Sequence, residues 1–250
     1  MTSIPKGEPG AAPAVSRAIE LLGLMARHPS VPMTVTELAR GIGAARSSTR
    51  NICTALEAGG LVQHCDGGYR LGQRLVEFGG AYLYSFEQVK AFHEACAESA
   101  LLARELVQAA ILDREDVLYV ARHEGRAPLS LSAHVGDRLP AARTAVGIAL
   151  LATLPDEALR RIFAPAVRDG LLSRLRLARA RGFAVEAGGI HGAVVGVAAA
   201  VPGDASSPGF AVGVSLVGVR PSPEDLARYG KAVQSIAAQM ARPASSARRA

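Results

Sequence analysis

The stretch TVTELARGIGAARSSTRNICTALEAGGLV, Thr34 to Val62, restricts the possible fold more than any other part of the chain. Thr34-Val35-Thr36-Glu37 has the S/T-x-x-E pattern in which a hydroxyl and a carboxylate cap a helix start reciprocally. Gly41 and Gly43 stop that helix almost at once. A further helix is expected over about residues 45–58, closed by Gly59-Gly60. Its opening, Arg46-Ser47-Ser48-Thr49-Arg50-Asn51, is almost wholly polar. At about 100° per residue, Ala45, Ser48, Thr49, Ile52, Cys53 and Leu56 fall on one side and can pack inward. Ser47, Arg50, Asn51 and Thr54 fall on the other, with Arg46 at the edge.

The flanks supply what these two short helices need for a core. Val15, Ala18, Ile19, Leu22 and Met25 recur at helical spacing, predicting an amphipathic helix over about 14–27 that His28-Pro29 ends. After Gly60, LVQHC-DGG-YRLG reads as two short strands around Asp66-Gly67-Gly68, a good hairpin turn. Three helices and a hairpin within residues 14–72 make a winged helix-turn-helix. The outward face of its third helix carries two guanidinium groups, an amide and hydroxyls. Arg grips guanine bidentately and Asn suits adenine, while hydroxyls and amide N–H groups hold phosphates. Thr36, Arg46, Ser47, Ser48, Arg50, Asn51 and Thr54 are the candidate DNA contacts. A solvated, Ser/Thr-rich helix start is the bland reading of the third helix alone; with the capped helix before it and the wing after it, DNA is the stronger reading.

Next comes a linker helix, expected over 73–90. Leu71, Leu75, Phe78, Tyr82 and Phe86 form a stripe near the seven-residue period, a core face or a seam between subunits. From Leu106 the pattern changes. LVQAAILDREDVLYVARH reads as two strands around a charged turn, and LSLSAHVG as a third. Residues 144–181 read as helical, with Pro155 starting a new helix. AVVGVAAAVP and GFAVGVSLVGV read as strands, and SPEDLARYGKAVQSIAAQMA as a closing amphipathic helix. Strands and helices in this order predict an α+β domain on an antiparallel sheet, over residues 91–242. Residues 1–13, small, polar and Pro/Gly-rich, read as a disordered arm, and residues 243–250 as a disordered tail.

Composition narrows the function classes. The net charge of +6 fits an acidic partner, but it rests on 25 Arg and only 3 Lys, spread through both halves. A DNA-packaging protein would be richer in Lys and would need no second domain. The three cysteines form no C-x-x-C pair and fit a reducing compartment. A redox-sensing thiol at Cys65, in a polar turn, is an alternative reading. No apolar run is long enough for a membrane span, and the first residues lack the apolar centre of a signal peptide, so a cytoplasmic protein is expected. An enzyme is the other alternative. However, the six histidines are scattered without metal-ligand spacing. GVSLVG lacks the G-x-S-x-G elbow, and GIGAAR follows a helix rather than a strand. No catalytic residue, metal or cofactor is expected.

AVSRAIELLGLMARHP, the stretch quoted first and YRLGQRLVEFG each resemble, in order and spacing, the DNA-binding half of the IclR family of bacterial transcription regulators. LSLSAHVGDRLPAARTAVGIALLATLP and RARGFAV are similar to signatures of that family's effector domain. The resemblance spans about residues 14–240. It implies a winged helix-turn-helix joined by a linker helix to a GAF-like sensor, a homodimer or tetramer, and a palindromic operator on double-stranded DNA. It also implies a small-molecule effector held in the C-terminal domain. Carried onto this chain, the effector positions are Leu129, Leu131, Ala145, Val146, Gly196, Ser215 and Val217. Arg143, Glu186 and His191 stand where this sequence departs from the family's pattern. Arg143 is charged where small residues are common, Ile148 replaces a frequent lysine, and Glu186 is the sole acid after GFAV. These departures predict a roomier, more apolar pocket with few polar anchors, suited to an aromatic or short aliphatic acid.

Overall fold

A computed structural model describes residues 12–125, 133–201, 203 and 208–241. It divides into two compact units between Tyr82 and Leu83.

The first unit starts with α1 (Pro13–Ala26), α2 (Val35–Gly41) and α3 (Arg46–Ala58). The hairpin β1 (Val62–Cys65) and β2 (Gly68–Leu71) follows. Thr34 and Glu37 form the expected capping box, with the Thr34 hydroxyl accepting from the Glu37 N–H at 3.3 Å and Glu37 accepting from the Thr34 N–H at 2.8 Å. Those bonds hold the Glu37 carboxyl below the usual carboxylate range, the backbone bond to Thr34 contributing most. Met33 pairs with Tyr69 through both backbone bonds, a one-residue bridge along the edge of the hairpin. Only glycine fits at position 68, because its φ is +135° and an added Cβ would lie 2.2 Å from the Met33 carbonyl oxygen.

Leu21, Leu24, Met25, Leu38, Ile52, Cys53, Leu56, Val62 and Tyr69 make the core of this unit. Val15 and Ile19 of the expected stripe on α1 stay exposed. Met25 of that stripe is buried and Ala18 and Leu22 pack against the core, while Leu21 and Leu24, outside the stripe, complete the buried face. Ala45 is also exposed rather than inward, because it is the extended residue preceding α3.

One linker helix over 73–90 was expected, but the chain forms two, α4 (Arg74–Tyr84) and α5 (Glu87–Glu98). Phe86 takes an extended conformation at the start of α5 and sets its ring edge-on to Phe210, 5.5 Å between centroids. Burying that ring in the second unit takes Phe86 out of the helix, which overrides the seven-residue stripe. Leu71 is likewise in β2, so the stripe is not one helix face.

The second unit is built on β3 (Leu106–Asp113), β4 (Asp116–His123), β5 (Arg138–Pro140), β6 (Ala184–Ala187), β7 (Val194–Val201) and β8 (Phe210–Val217). All pair antiparallel in the order β5-β4-β3-β8-β7-β6. The helices are α5, α6 (Ala145–Thr153), α7 (Asp156–Ile162), α8 (Pro165–Arg181) and α9 (Pro223–Met240). Alternation along the strands sorts side chains to two faces. Val107, Ala109, Val197, Ala199, Val212 and Val214 pack against Phe92 and Cys96 of α5 and Val233, Ile236 and Met240 of α9. Ala110, Tyr119, Ala198 and Ala211 face α6, backed by Leu171 and Leu175 of α8. Every residue of α6 from Ala145 to Leu151 is buried. Covering Ile148, Leu150 and Leu151 stabilises this layer by roughly 1.5–3 kcal/mol each.

Of the strand expected over 129–136, residues 129–132, with Leu129 and Leu131, lie outside the described residues, as do the tail and most of the arm, and 133–136 form loop and turn rather than strand. The short strand β5 was not foreseen.

Candidate functional site

Two groups of side chains stand out, one in each unit. On α3, Arg46, Ser47, Arg50, Asn51 and Thr54 are exposed, while Thr49, Ile52, Cys53 and Leu56 are buried. Thr49 is fully buried yet satisfied, its hydroxyl donating to the Ala45 carbonyl at 3.0 Å. The Thr54 hydroxyl similarly donates to the Arg50 carbonyl at 3.1 Å. Among the described residues no side chain caps the start of α3, so its first N–H groups have no side-chain acceptor. Ser48 is half-buried, and its hydroxyl accepts from Arg17 of α1 at 3.3 Å. Arg17 is a basic group that the helix wheel of α3 could not reveal, because the contact joins two elements. Thr36 is half-buried in the first turn of α2. In the wing, Arg70 donates to Gln63 across the strand pair at 3.1–3.3 Å.

In the second unit a cavity of about 80 Å³ opens between the start of α6 and the sheet face beneath it. Its lining includes Arg143, Ala145, Val146, Glu186, His191, Gly196, Ser215 and Val217. The fold thus brings together all eight described residues that the resemblance and its departures single out. The mechanism is strand alternation: Val194 and Gly196 of β7 and Gly213, Ser215 and Val217 of β8 point to the α6 side, and Gly196 pairs directly with Ser215. Two glycines let α6 approach. An added Cβ at Gly196 would lie 2.8 Å from the Ala145 Cβ, and one at Gly213 would lie 2.7 Å from Val146 Cγ1.

The expectation of few polar anchors is corrected here. Gln108, Tyr119 and Thr144 also line the cavity, and all three are buried. Gln108 donates to the Ala133 carbonyl and accepts from the Ser215 hydroxyl at 3.4 Å. Burial pushes the Tyr119 hydroxyl up to about 12, so it stays a neutral donor. Thr144 caps α6, its hydroxyl accepting from the Gly147 N–H at 3.0 Å. That leaves the N–H groups of Ala145 and Val146, ahead of it, without a partner among the described residues. Gln108 and Tyr119 sit in apolar strand runs, where sequence reading assigns core. Only the pleat shows that they face a void.

Arg143 and Glu186 are not idle at the rim. Arg143 donates through Nε, at 2.8 Å, and through Nη2 to the Gly189 carbonyl. Glu186 accepts from the Gly189 N–H at 2.7 Å, and its other oxygen meets Arg174 at 3.2 Å. His191 is exposed at the cavity mouth. Of the three free cysteines, Cys53 and Cys96 are buried, and desolvation raises both thiols, that of Cys96 to about 12. Cys65 is half-buried, and its thiol donates to the Gly68 carbonyl at 3.5 Å. Among the described residues no group of His, Cys, Asp and Glu could hold a metal, and no helix is long and apolar enough to cross a membrane.

Comparison with known proteins bears on both units. Residues 14–65 match the IclR helix-turn-helix domain, and residues 80–242 match the bacterial transcriptional regulator IclR C-terminal domain. The chain is 26% identical over 186 residues to the HTH-type transcriptional regulator XynR of Escherichia coli, covering 69% of this chain and 73% of that one. It is 31% identical over 157 residues to the HTH-type transcriptional regulator TtgV of Pseudomonas putida, covering 62% and 59%. Two crystal structures share the fold. A transcriptional regulator from Rhodococcus sp. RHA1 superposes with TM-score 0.76 at 24% identity, covering 92% of this chain and 97% of that one. An IclR homologue from Microbacterium hydrocarbonoxydans, complexed with 4-hydroxybenzoate, does so with TM-score 0.76 at 19% identity, covering 91% and 97%. With both domains matched in order, the chain belongs to the IclR family of bacterial DNA-binding transcription regulators, which is not a family of enzymes.

Proposed function

We propose that this regulator acts in the cytoplasm, reads a palindromic operator with α3 as a homodimer or tetramer, and adjusts a neighbouring catabolic or metabolic operon to a small organic acid. The observation that carries this reading is the cavity at the start of α6. Its apolar walls come from Leu139, Val146, Val194 and Val217. The two unpartnered N–H groups of Ala145 and Val146 mark one end, where a helix start favours an anion. Gln108, Tyr119 and Ser215 offer neutral hydrogen bonds elsewhere in the lining. An apolar body with a carboxylate, such as a benzoate, matches that distribution. The 4-hydroxybenzoate bound to the Microbacterium homologue is a molecule of this class.

Support for DNA reading comes from the exposed row Arg46, Ser47, Arg50 and Asn51. Support for self-association comes from α4, which buries nothing and exposes Val76, Phe78, Tyr82 and Tyr84. One winged helix offers few base contacts, so two half-sites are expected. The test is operator binding by fluorescence anisotropy against a panel of benzoates and short aliphatic acids. Wild type should respond to at least one, and Ser215→Leu, which fills the cavity, should lose that response. An operator affinity that no acid shifts, or a folded Ser215→Leu protein with the full response, would refute the reading.

A further inference from the structure

The rim of the cavity holds a clasp that the cavity's size and lining do not explain. Both backbone groups of Gly189 are taken by side chains of opposite charge, the carbonyl by Arg143 and the N–H by Glu186. Arg174 ties the clasp to the segment before α6, meeting Glu186 at 3.2 Å and donating to the Ala142 carbonyl at 2.8 Å. The fit tolerates only glycine, since an added Cβ at position 189 would lie 2.3 Å from the Arg143 carbonyl oxygen and 2.5 Å from Glu186 Oε2. The turn so held, Gly188 to Gly192, carries Ile190 and His191 over the cavity mouth. Gly188 enters it at φ +74°, and nothing lies within 4 Å of where a Cβ on Gly192 would be.

We propose that Arg143 is an anion-reading latch: a ligand carboxylate takes its guanidinium from the Gly189 carbonyl and so frees the Gly188–Gly192 turn. The proposal rests on the reading of this cavity as the effector site. Charge decides the exchange. Arg143 and Arg174 carry two positive charges, while Glu186 supplies one negative charge, so the clasp is one anion short. Its present partner on Arg143 is a neutral carbonyl. A hydrogen bond from guanidinium to carboxylate is roughly twice as strong as one between neutral groups, and the carboxylate offers two oxygens to the planar fork. A neutral analogue has no such advantage over Gly189. The latch therefore selects for charge, while the apolar walls select for shape.

Amide hydrogen exchange on the full chain tests this, with acetate as the anion and acetamide as its neutral counterpart at matched ionic strength. Arg143→Met should speed exchange across residues 188–192 by about tenfold, the loss expected for one charged hydrogen bond, with α6 and β7 unchanged. High acetate should speed the same amides in wild type, acetamide should not, and acetate should add nothing in Arg143→Met. Should Arg143→Met fail to fold, Gly189→Ala carries the test, because its methyl group must break the same clasp. Turn amides that exchange at the wild-type rate in the variant overturn the proposal, as does a wild-type turn that ignores acetate. A turn that opens with acetate in a protein whose operator affinity responds to no acid keeps the latch and refutes the effector reading instead.

Discussion

Gly147 and Gly170 both lie inside helices of the second unit, and replacing each with alanine should shift stability in opposite directions. In α8, an added Cβ at Gly170 meets nothing within 4 Å. Alanine there gains up to about 1 kcal/mol, from helix propensity and from reduced freedom of the unfolded chain. In α6, a Cβ at Gly147 would lie 2.1 Å from the Ala141 carbonyl oxygen, 2.4 Å from its Cα and 2.6 Å from its carbonyl carbon. All three are backbone atoms of the turn before α6, so no rotamer change relieves them, and the gap must open by roughly 1.5 Å to reach ordinary contact. Overpacking of this kind costs about 1–3 kcal/mol and sometimes more, which exceeds the propensity gain. The net effect should be a loss of about 1–2 kcal/mol. For a domain of this size each kcal/mol moves Tm by roughly 2–4 °C. Thermal unfolding followed by circular dichroism should therefore show Gly170→Ala above wild type and Gly147→Ala below it. A Gly147→Ala protein as stable as Gly170→Ala would mean that α6 does not approach the Ala141 turn so closely. The wall of the cavity would then have to be redrawn.

Arg50→Ala and Asn51→Ala should each cost about 1–3 kcal/mol of specific operator binding and relax one base position. Anisotropy on operator and random DNA checks this, and two variants with wild-type affinity would remove α3 as the reader. The Glu37 carboxyl is depressed by its bonds to Thr34, so the capping box contributes fully above the ordinary value of 4.5 and is lost as pH falls through the lower folded value. Glu37→Gln should accordingly lower Tm at pH 6, with the difference narrowing below pH 4.5, and a gap that widens in acid would reverse the sign of the argument. Static light scattering should give at least a dimer at micromolar concentration. A Phe78→Glu/Tyr82→Glu double variant should shift it toward monomer, since it places charge on the exposed face of α4; a wild-type monomer with and without operator would end that reading.

Local chemistry makes the first unit legible in the sequence. The capping box, the glycine stops and the hairpin turn act between residues near in sequence, so their pattern is the structure they form. Short apolar runs between turns marked β3, β4, β7 and β8 in the same local way. What only tertiary structure decided was orientation and vacancy. The helix break at Phe86 follows from a ring buried against Phe210, a partner far along the chain. Arg17 reaches Ser48 because α1 and α3 pack, which no helix wheel of either one displays. Gln108 and Tyr119 sit in strand runs that look like core, and only the packing of α6 on the sheet, close over Gly196 and Gly213, shows that they line a cavity. The double hold of Arg143 and Glu186 on Gly189 depends on where two distant loops end. Short-range hydrogen bonding and periodicity are written in neighbouring residues, whereas a void and the charges around it are properties of elements that meet only in the folded chain.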